Sequence, residues 1–217
     1  FVAQGQKLLR LSRLDDSAYS DKFYAKTLEI LFSEVERADR VIFSDFSYGV
    51  LSEKFIDSAK KLFESDAFTK FAGDSQSGSQ TGNIGKFVNF NAIYPTEYEA
   101  RLYLKDFSSS IDVIGRNLLS KLNVSKVFLK LNAEGLLIFY KTKGEERRTY
   151  LPAFAKRAVD VTGAGDTLLA VSNAILSKTD DVISAGFLGS IAAAIAVSRM
   201  GNASLSHNEV YEVINNI

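Results

Sequence analysis

The sequence has no cysteine and a single histidine among its 217 residues. Without thiols there is no disulfide and no thiolate metal centre, and the composition suits a reducing compartment, so a cytoplasmic location is expected. With His207 as the sole imidazole, a His-rich metal cluster is excluded, and a Ser-His catalytic pair would have to use that residue. An excess of either charge is lacking too. Twenty-six basic residues balance 26 acidic ones, which gives bulk charge no hold on nucleic acid or another polyanion. No apolar run reaches the ~18 residues of a membrane-spanning helix, and no membrane partner is expected. Proline is confined to Pro95 and Pro152. Nothing resembles an interdomain linker or an internal repeat, and one domain over residues 1–217 is the expectation. The chain opens on Phe1-Val2-Ala3, with no initiator Met and no basic segment leading into an apolar one. We therefore expect a piece of a longer protein, without a secretory leader.

What is present is ordinary globular material: 46% hydrophobic and 24% charged residues, enough for one sizeable core. Short apolar runs read as buried strands at Val41 to Ser44, Phe71 to Gly73, Ala92 to Tyr94, Val127 to Leu129 and Leu136 to Tyr140. Helical spacing separates them. In the first such stretch Tyr24, Leu28, Leu31 and Val35 recur at intervals of three and four. Others run over Ser52 to Glu64, Thr96 to Asp106, Ser110 to Leu122, Gly165 to Leu176 and Asp180 to Arg199. Alternation of this kind predicts an α/β sandwich with a mainly parallel sheet. Two stretches break the rhythm. Gly73 to Gly85, rich in Gly, Ser and Gln, reads as a loop beyond a strand end, where ligands collect in open parallel sheets. Tyr140 to Pro152 reads as a hairpin with a charged tip.

Chemistry concentrates at Asp160-Val161-Thr162-Gly163-Ala164-Gly165-Asp166, which leads into the helix Leu168 to Val171. Glycines at 163 and 165 let the backbone turn and approach a ligand. The helix that follows leaves its first N–H groups unpaired, with partial positive charge directed outward. Together these make an anion hole suited to phosphate. An acid at its centre would repel a phosphate that is merely bound. Asp166 makes sense if it accepts a proton from a hydroxyl attacking a phosphate held by the adjacent amides. The simpler alternative is a Gly-containing turn whose Asp caps a helix. Neither a dinucleotide fingerprint nor a Gly-x-x-x-x-Gly-Lys-Ser/Thr loop fits the sequence.

With Asp160 to Asp166 in view, the sequence resembles the ribokinase-like (PfkB) carbohydrate kinases, whose signature is Asp-Thr-x-Gly-Ala-Gly-Asp. Val161 takes the place of the first Thr. Three further segments follow the family order. Tyr94 to Ala100 is similar to Pro-Asn-x-x-Glu, with Thr96 in the Asn position. Leu129 to Gly135 is similar to the Thr-x-Gly-x-x-Gly nucleotide loop, with Lys130 and Asn132 in the Thr and first Gly positions. Asn tolerates a left-handed backbone, which makes that exchange mild. Ala192 to Gly201 is similar to the helix and turn bordering the adenine and monovalent-cation sites. Within the family, Gln6 to Leu11, Ser44 to Leu51 and Met200 to Ser206 are similar to segments of heptose-phosphate kinases, with Tyr48 in a Lys position.

The resemblance implies a ribokinase-like three-layer α/β/α sandwich, of which this chain would be the C-terminal, nucleotide-binding portion. It implies ATP and Mg²⁺, and a K⁺-type cation, as cofactors. A sugar or sugar phosphate is the implied acceptor, and a homodimer is compatible with it. Asp166 would be the base, with the amides of Gly163, Ala164 and Gly165 as the anion hole. Lys130, Asn132, Gly135 and Thr96 would meet nucleotide, with Gly189 and Ser190 bordering adenine, although the small residues of that helix also suit close packing. Glu99 would help place Mg²⁺. Asp160, Thr162, Ala196, Arg199 and Gly201 would surround the monovalent cation. Asp45 and Asp74 would face the acceptor, or be ordinary strand-end acids. A hexose or nucleoside acceptor, or a nucleotide-binding module without catalysis of its own, are the alternatives.

Overall fold

The computed structural model describes residues 19–62, 70–76, 83–155, 157–201 and 203–216, and the backbone of two short strands, β1 (Val2–Ala3) and β2 (Gln6–Lys7), which pair antiparallel. The rest of the Gln6–Leu11 segment, the middle of the Gly73–Gly85 loop and Asn202 lie outside the described residues.

Six further strands form one sheet in chain order: β3 (Val41–Asp45), β4 (Phe71–Ser75), β5 (Ala92–Ile93), β6 (Lys126–Lys130), β7 (Leu136–Thr142) and β8 (Glu145–Leu151). The first three pairings are parallel and the last two antiparallel. The reversal has a local cause. Only the short turn at Asn132–Glu134 and its flanks join β6 to β7, and a parallel return needs a crossover of a dozen or more residues. Between β7 and β8 the chain turns on Lys143 (φ 51°) and Gly144 (φ 80°). Two left-handed residues give the two-residue hairpin whose twist matches its strands.

The helices are α1 (Asp21–Val35), α2 (Glu53–Leu62), α3 (Glu97–Leu104), α4 (Ile111–Lys121), α5 (Ala164–Thr179), α6 (Val182–Val197) and α7 (His207–Asn215). Strand side chains alternate between two cores. Phe43, Phe71, Ile93, Val127, Leu129 and Phe139 meet the side chains of α1 to α4, among them Phe55, Ile56, Ile114 and Leu118. Ala72, Ala92, Tyr94, Phe128 and Ile138 meet α5 and α6 through Leu168, Leu169, Leu176 and Ala185. The result is the three-layer α/β/α sandwich. Helix α6 is apolar on every side, as a helix buried against both sheet and neighbour must be. Its small residues allow that approach: a Cβ at Gly189 would lie 2.8 Å from Leu168 Cδ1 and 3.3 Å from Ser172 Cβ. No helix among the described residues is long and apolar enough to cross a membrane.

Parallel order places the carboxyl ends of β3 to β6 at one edge, and with them Asp45, Asp74, Thr96 and Lys130.

Candidate functional site

At this edge the sandwich brings together residues that are far apart in sequence. The Lys130 ammonium bonds both carboxylate oxygens of Asp74, at 2.8 and 3.0 Å. The pair is nearly closed off, with side chains 16% and 5% exposed. Thr96 lies beside Lys130 through an isolated parallel bridge. The first turn of α5 completes the group: a Cβ at Gly165 would sit 3.4 Å from Lys130 Nζ and 4.0 Å from Asp74 Oδ2. Burial pushes the Asp74 carboxyl above its ordinary range. Lys130 pulls it down, and the negative charges of Glu99 and Asp166 push it up again. Four expected site residues, Asp74, Glu99, Lys130 and Asp166, therefore share one electrostatic neighbourhood.

The turn into α5 is built by one left-handed residue. Gly163, at φ 80°, is the N-cap, and its carbonyl accepts from Thr167 N–H at 2.9 Å and Thr167 Oγ1 at 2.8 Å. Gly165 has a different role from the one its motif suggests. It lies inside the helix, outside the left-handed region, and a Cβ there would be in ordinary contact with the Lys130–Asp74 pair. The Ala164 N–H reaches Val161 O only at 3.4 Å, beyond the usual length of such a bond. Gly165 and Asp166 fall at helix positions whose N–H groups precede the first i→i−4 acceptor. Asp166 itself is half-buried.

Glu99 is 8% exposed. One oxygen accepts from Thr96 N–H at 2.7 Å, while Thr96 Oγ1 accepts from Glu99 N–H at 3.2 Å. This reciprocal cap starts α3 and fixes Glu99 in place. Mg²⁺ takes one or two protein carboxylates and completes its shell with water and phosphate oxygens, and Glu99 is the carboxylate here that could serve as one of them. No group of three or more acidic or imidazole side chains able to hold a metal by itself occurs among the described residues.

A second cluster joins the motif to the end of α6. Val159 N–H and Asp160 N–H both donate to Val197 O, at 2.7 and 3.2 Å. The Asp160 carboxylate accepts from Thr162 N–H at 3.1 Å and Gly201 N–H at 3.0 Å. Asp160, Thr162 and Gly201 are thus brought together as a set, with buried Ala196 preceding Val197. Arg199 turns away: its Nη1 bonds Glu209 Oε1 of α7 at 2.9 Å. Its side chain serves that ion pair, so only its backbone could belong to a cation site.

For two residues the structure favours one of the two readings left open. Asp45 was open to a role facing the acceptor, but its carboxylate is 5% exposed and occupied by the Lys86 ammonium, Ser75 Oγ at 2.9 Å and Ser47 N–H at 2.9 Å. Gly189 was open to close helix packing or to bordering adenine, and the space beside it is filled by Leu168 and Ser172 of α5, in keeping with packing. Its neighbour Ser190 is half-buried. In the turn after β6, Asn132 takes the left-handed conformation (φ 54°), as expected of Asn there, and is exposed. Gly135 holds φ 107°.

Lys86 was not singled out by sequence, and nothing in its local context marks it. Its carboxylate partner is 41 residues away. Tyr94 is likewise a surprise. It is fully buried, stacks on Phe128 with ring centroids 4.5 Å apart, and accepts hydrogen bonds from Ser172 Oγ at 2.9 Å and Asn173 Nδ2 at 3.1 Å. Burial pushes its hydroxyl up, out of reach of titration near neutrality. A cavity of about 430 Å³ follows the outer side of β3, lined mostly by apolar residues such as Leu31, Phe43, Phe46 and Phe55. It contains none of Asp74, Lys130 and Asp166.

The chain is similar to a bifunctional protein HldE from Nitratiruptor sp., at 25% identity over 214 residues, covering 97% of this chain and 43% of the relative. It thus spans less than half the length of that curated relative. Among solved structures, it is similar to a ribokinase from Thermotoga maritima (TM-score 0.70, 24% identity, 85% of this chain and 59% of the other). It is also similar to a ribokinase from Arabidopsis thaliana complexed with ribose and ATP (TM-score 0.70, 20% identity, 91% and 60%). These likenesses concern the fold. Residues 12–209 match the pfkB family carbohydrate kinases, and with nearly the whole chain inside that match, the protein belongs to this family.

Proposed function

We propose that this chain carries the nucleotide-binding and proton-accepting part of an ATP-dependent kinase that phosphorylates a hydroxyl of a sugar or sugar phosphate, of the heptose-phosphate type. The observation that carries the reading is the meeting of Asp166 with the Asp74–Lys130 pair and Glu99 at the N-terminus of α5. Asp166 accepts the proton of the attacking hydroxyl. The N–H groups of Gly163 and Gly165, with that of Ala164 released from its long bond to Val161, stabilise negative charge on the transferring phosphoryl group. Lys130, Thr96, Asn132 and Gly135 border the nucleotide.

Mg²⁺, when bound, neutralises phosphate charge, and Glu99, directly or through water, is the residue that would hold it. Asp160, Thr162, Gly201 and the backbone of Ala196 and Arg199 would frame a K⁺-type cation. The heptose-phosphate choice rests on the sequence resemblance of Ser44 to Leu51 and Met200 to Ser206. A hexose or nucleoside acceptor would leave the same nucleotide half unchanged.

In the full-length polypeptide, Asp166→Asn is expected to lower turnover by about 10²–10⁴-fold, the usual worth of a positioned base, while ATP affinity is kept. Turnover near that of wild type would dismiss Asp166 as the base. A panel of heptose phosphates, hexoses and nucleosides then decides the acceptor, and ATP binding without transfer to any of them would favour a non-catalytic module.

A further inference from the structure

Lys130 is an unexpected choice for its position. It lies against the first turn of α5, within 3.4 Å of where a side chain on Gly165 would begin. A helix N-terminus carries partial positive charge and disfavours a cation. The ammonium stays there because Asp74 grips it with both oxygens. Asp74 is in turn under the influence of the negative charges of Glu99 and Asp166, while the ammonium bonds Asp74. The cluster carries an excess of negative charge where the reading above requires a polyphosphate.

Resting on that reading, we propose that the Asp74–Lys130 pair is a charge gate on nucleotide binding: Asp74 and the polyphosphate compete for the Lys130 ammonium. Phosphate at this helix end would satisfy the free amides and the ammonium together. Before that, the bond to Asp74 must be loosened, and the Asp74 charge faces the incoming anion. Asp74 therefore acts as a positioning residue that lowers affinity for bare nucleotide, and Lys130 as the phosphate contact.

The sign of the effect separates this from a structural salt bridge. Binding of ATP and of adenosine is measured calorimetrically on the full-length protein without divalent cation, with chelator present. Asp74→Asn is expected to bind ATP about tenfold more tightly than wild type, and Lys130→Met about tenfold more weakly. In the Lys130→Met background Asp74→Asn should gain less than about tenfold, because there is no ammonium left to release and only the repulsion by the Asp74 charge is relieved. Adenosine, which has no phosphate, should bind all four proteins alike. Unchanged or weaker ATP binding by Asp74→Asn overturns the gate while leaving the kinase reading intact. Failure of the wild type to bind ATP even with Mg²⁺ overturns both. Should Asp74→Asn show no cooperative melting, Lys130→Met decides alone. Equal losses for ATP and adenosine, or no loss for ATP, would overturn the proposal.

Discussion

Gly135 and Gly165 both come from glycine-bearing motif segments, but the fold constrains them differently. Gly135 needs its positive φ of 107°, and a Cβ there would overlap Leu151 O and lie 2.6 Å from Ala153 N. Both obstacles are backbone, which cannot turn aside. Gly135→Ala should therefore lose on the order of 2–4 kcal/mol, combining left-handed strain with overpacking. Denaturant unfolding would register this as a lower midpoint, and a loss below 1 kcal/mol would mean that the turn relaxes. Gly165 has ordinary helical geometry, and its nearest neighbour is the end of a flexible lysine. A Cβ there would make ordinary contacts, so neither backbone nor packing requires glycine at this position. Such a difference is invisible in a motif, where both positions are written as the same letter.

At the scale of elements, helix ends do most of the positioning. The cap that starts α3 uses the side chains of Thr96 and Glu99, two residues also expected near nucleotide and metal. The two roles are separable by mutation. Thr96→Ala should cost about 1 kcal/mol of stability through the lost cap. Glu99→Gln keeps an oxygen for the Thr96 N–H and should leave the melting temperature almost unchanged, while raising the Mg²⁺ concentration needed for half-maximal turnover several-fold. An unaltered Mg²⁺ requirement would limit Glu99 to capping. Between α3 and α4, Asp106 accepts from Ser109 and Ser108, at 2.9 Å and 3.1 Å for their N–H groups. The side-chain bond to Ser109 is the main cause of a pKa lowered from 3.8 to about 2. Because the folded value is the lower one, the stabilisation is present above the unfolded pKa and disappears as pH falls through about 2. Carboxyl-carbon NMR should find the Asp106 midpoint near 2, and an ordinary midpoint would show that the turn is not held by these bonds.

At the scale of the whole molecule, the parallel half of the sheet gathers the chemistry and also locks its rim. Asp45 and Lys86, with side chains 5% and 7% exposed, tie the end of β3 to the turn at Ile84–Phe87, and Ser75 joins them from β4. Removing one partner leaves a buried charge unpaired, so Lys86→Met should destabilise by about 3–5 kcal/mol. Adding Asp45→Asn to that variant should recover part of the loss, because the orphaned charge goes with it. A double-mutant cycle by thermal or chemical unfolding would measure this, and strict additivity would show that the pair contributes no coupling.

By itself the sequence determined the periodicities and the special backbone positions. The strand at Val41 to Ser44, the hairpin after Tyr140, the helices either side of Asp180 and the left-handed Asn132 were all legible, because each follows from local patterns of side-chain size, polarity and backbone freedom. The Asp160 to Asp166 segment could likewise be read as a turn into a helix N-terminus. Only the tertiary structure decided which distant residues meet. The partnership of Asp74 with Lys130 spans 56 residues, and it exists because β4, β5 and β6 stand side by side in parallel and end at the same edge. The turn at Ile84–Phe87 brought Lys86 to Asp45, deciding for the strand-end reading of that acid, and α5 packs against Gly189, in keeping with the packing reading of its helix. Local patterns record which face of an element is buried. They do not record which neighbour buries it, because that depends on sheet order and on the layer that packs against it.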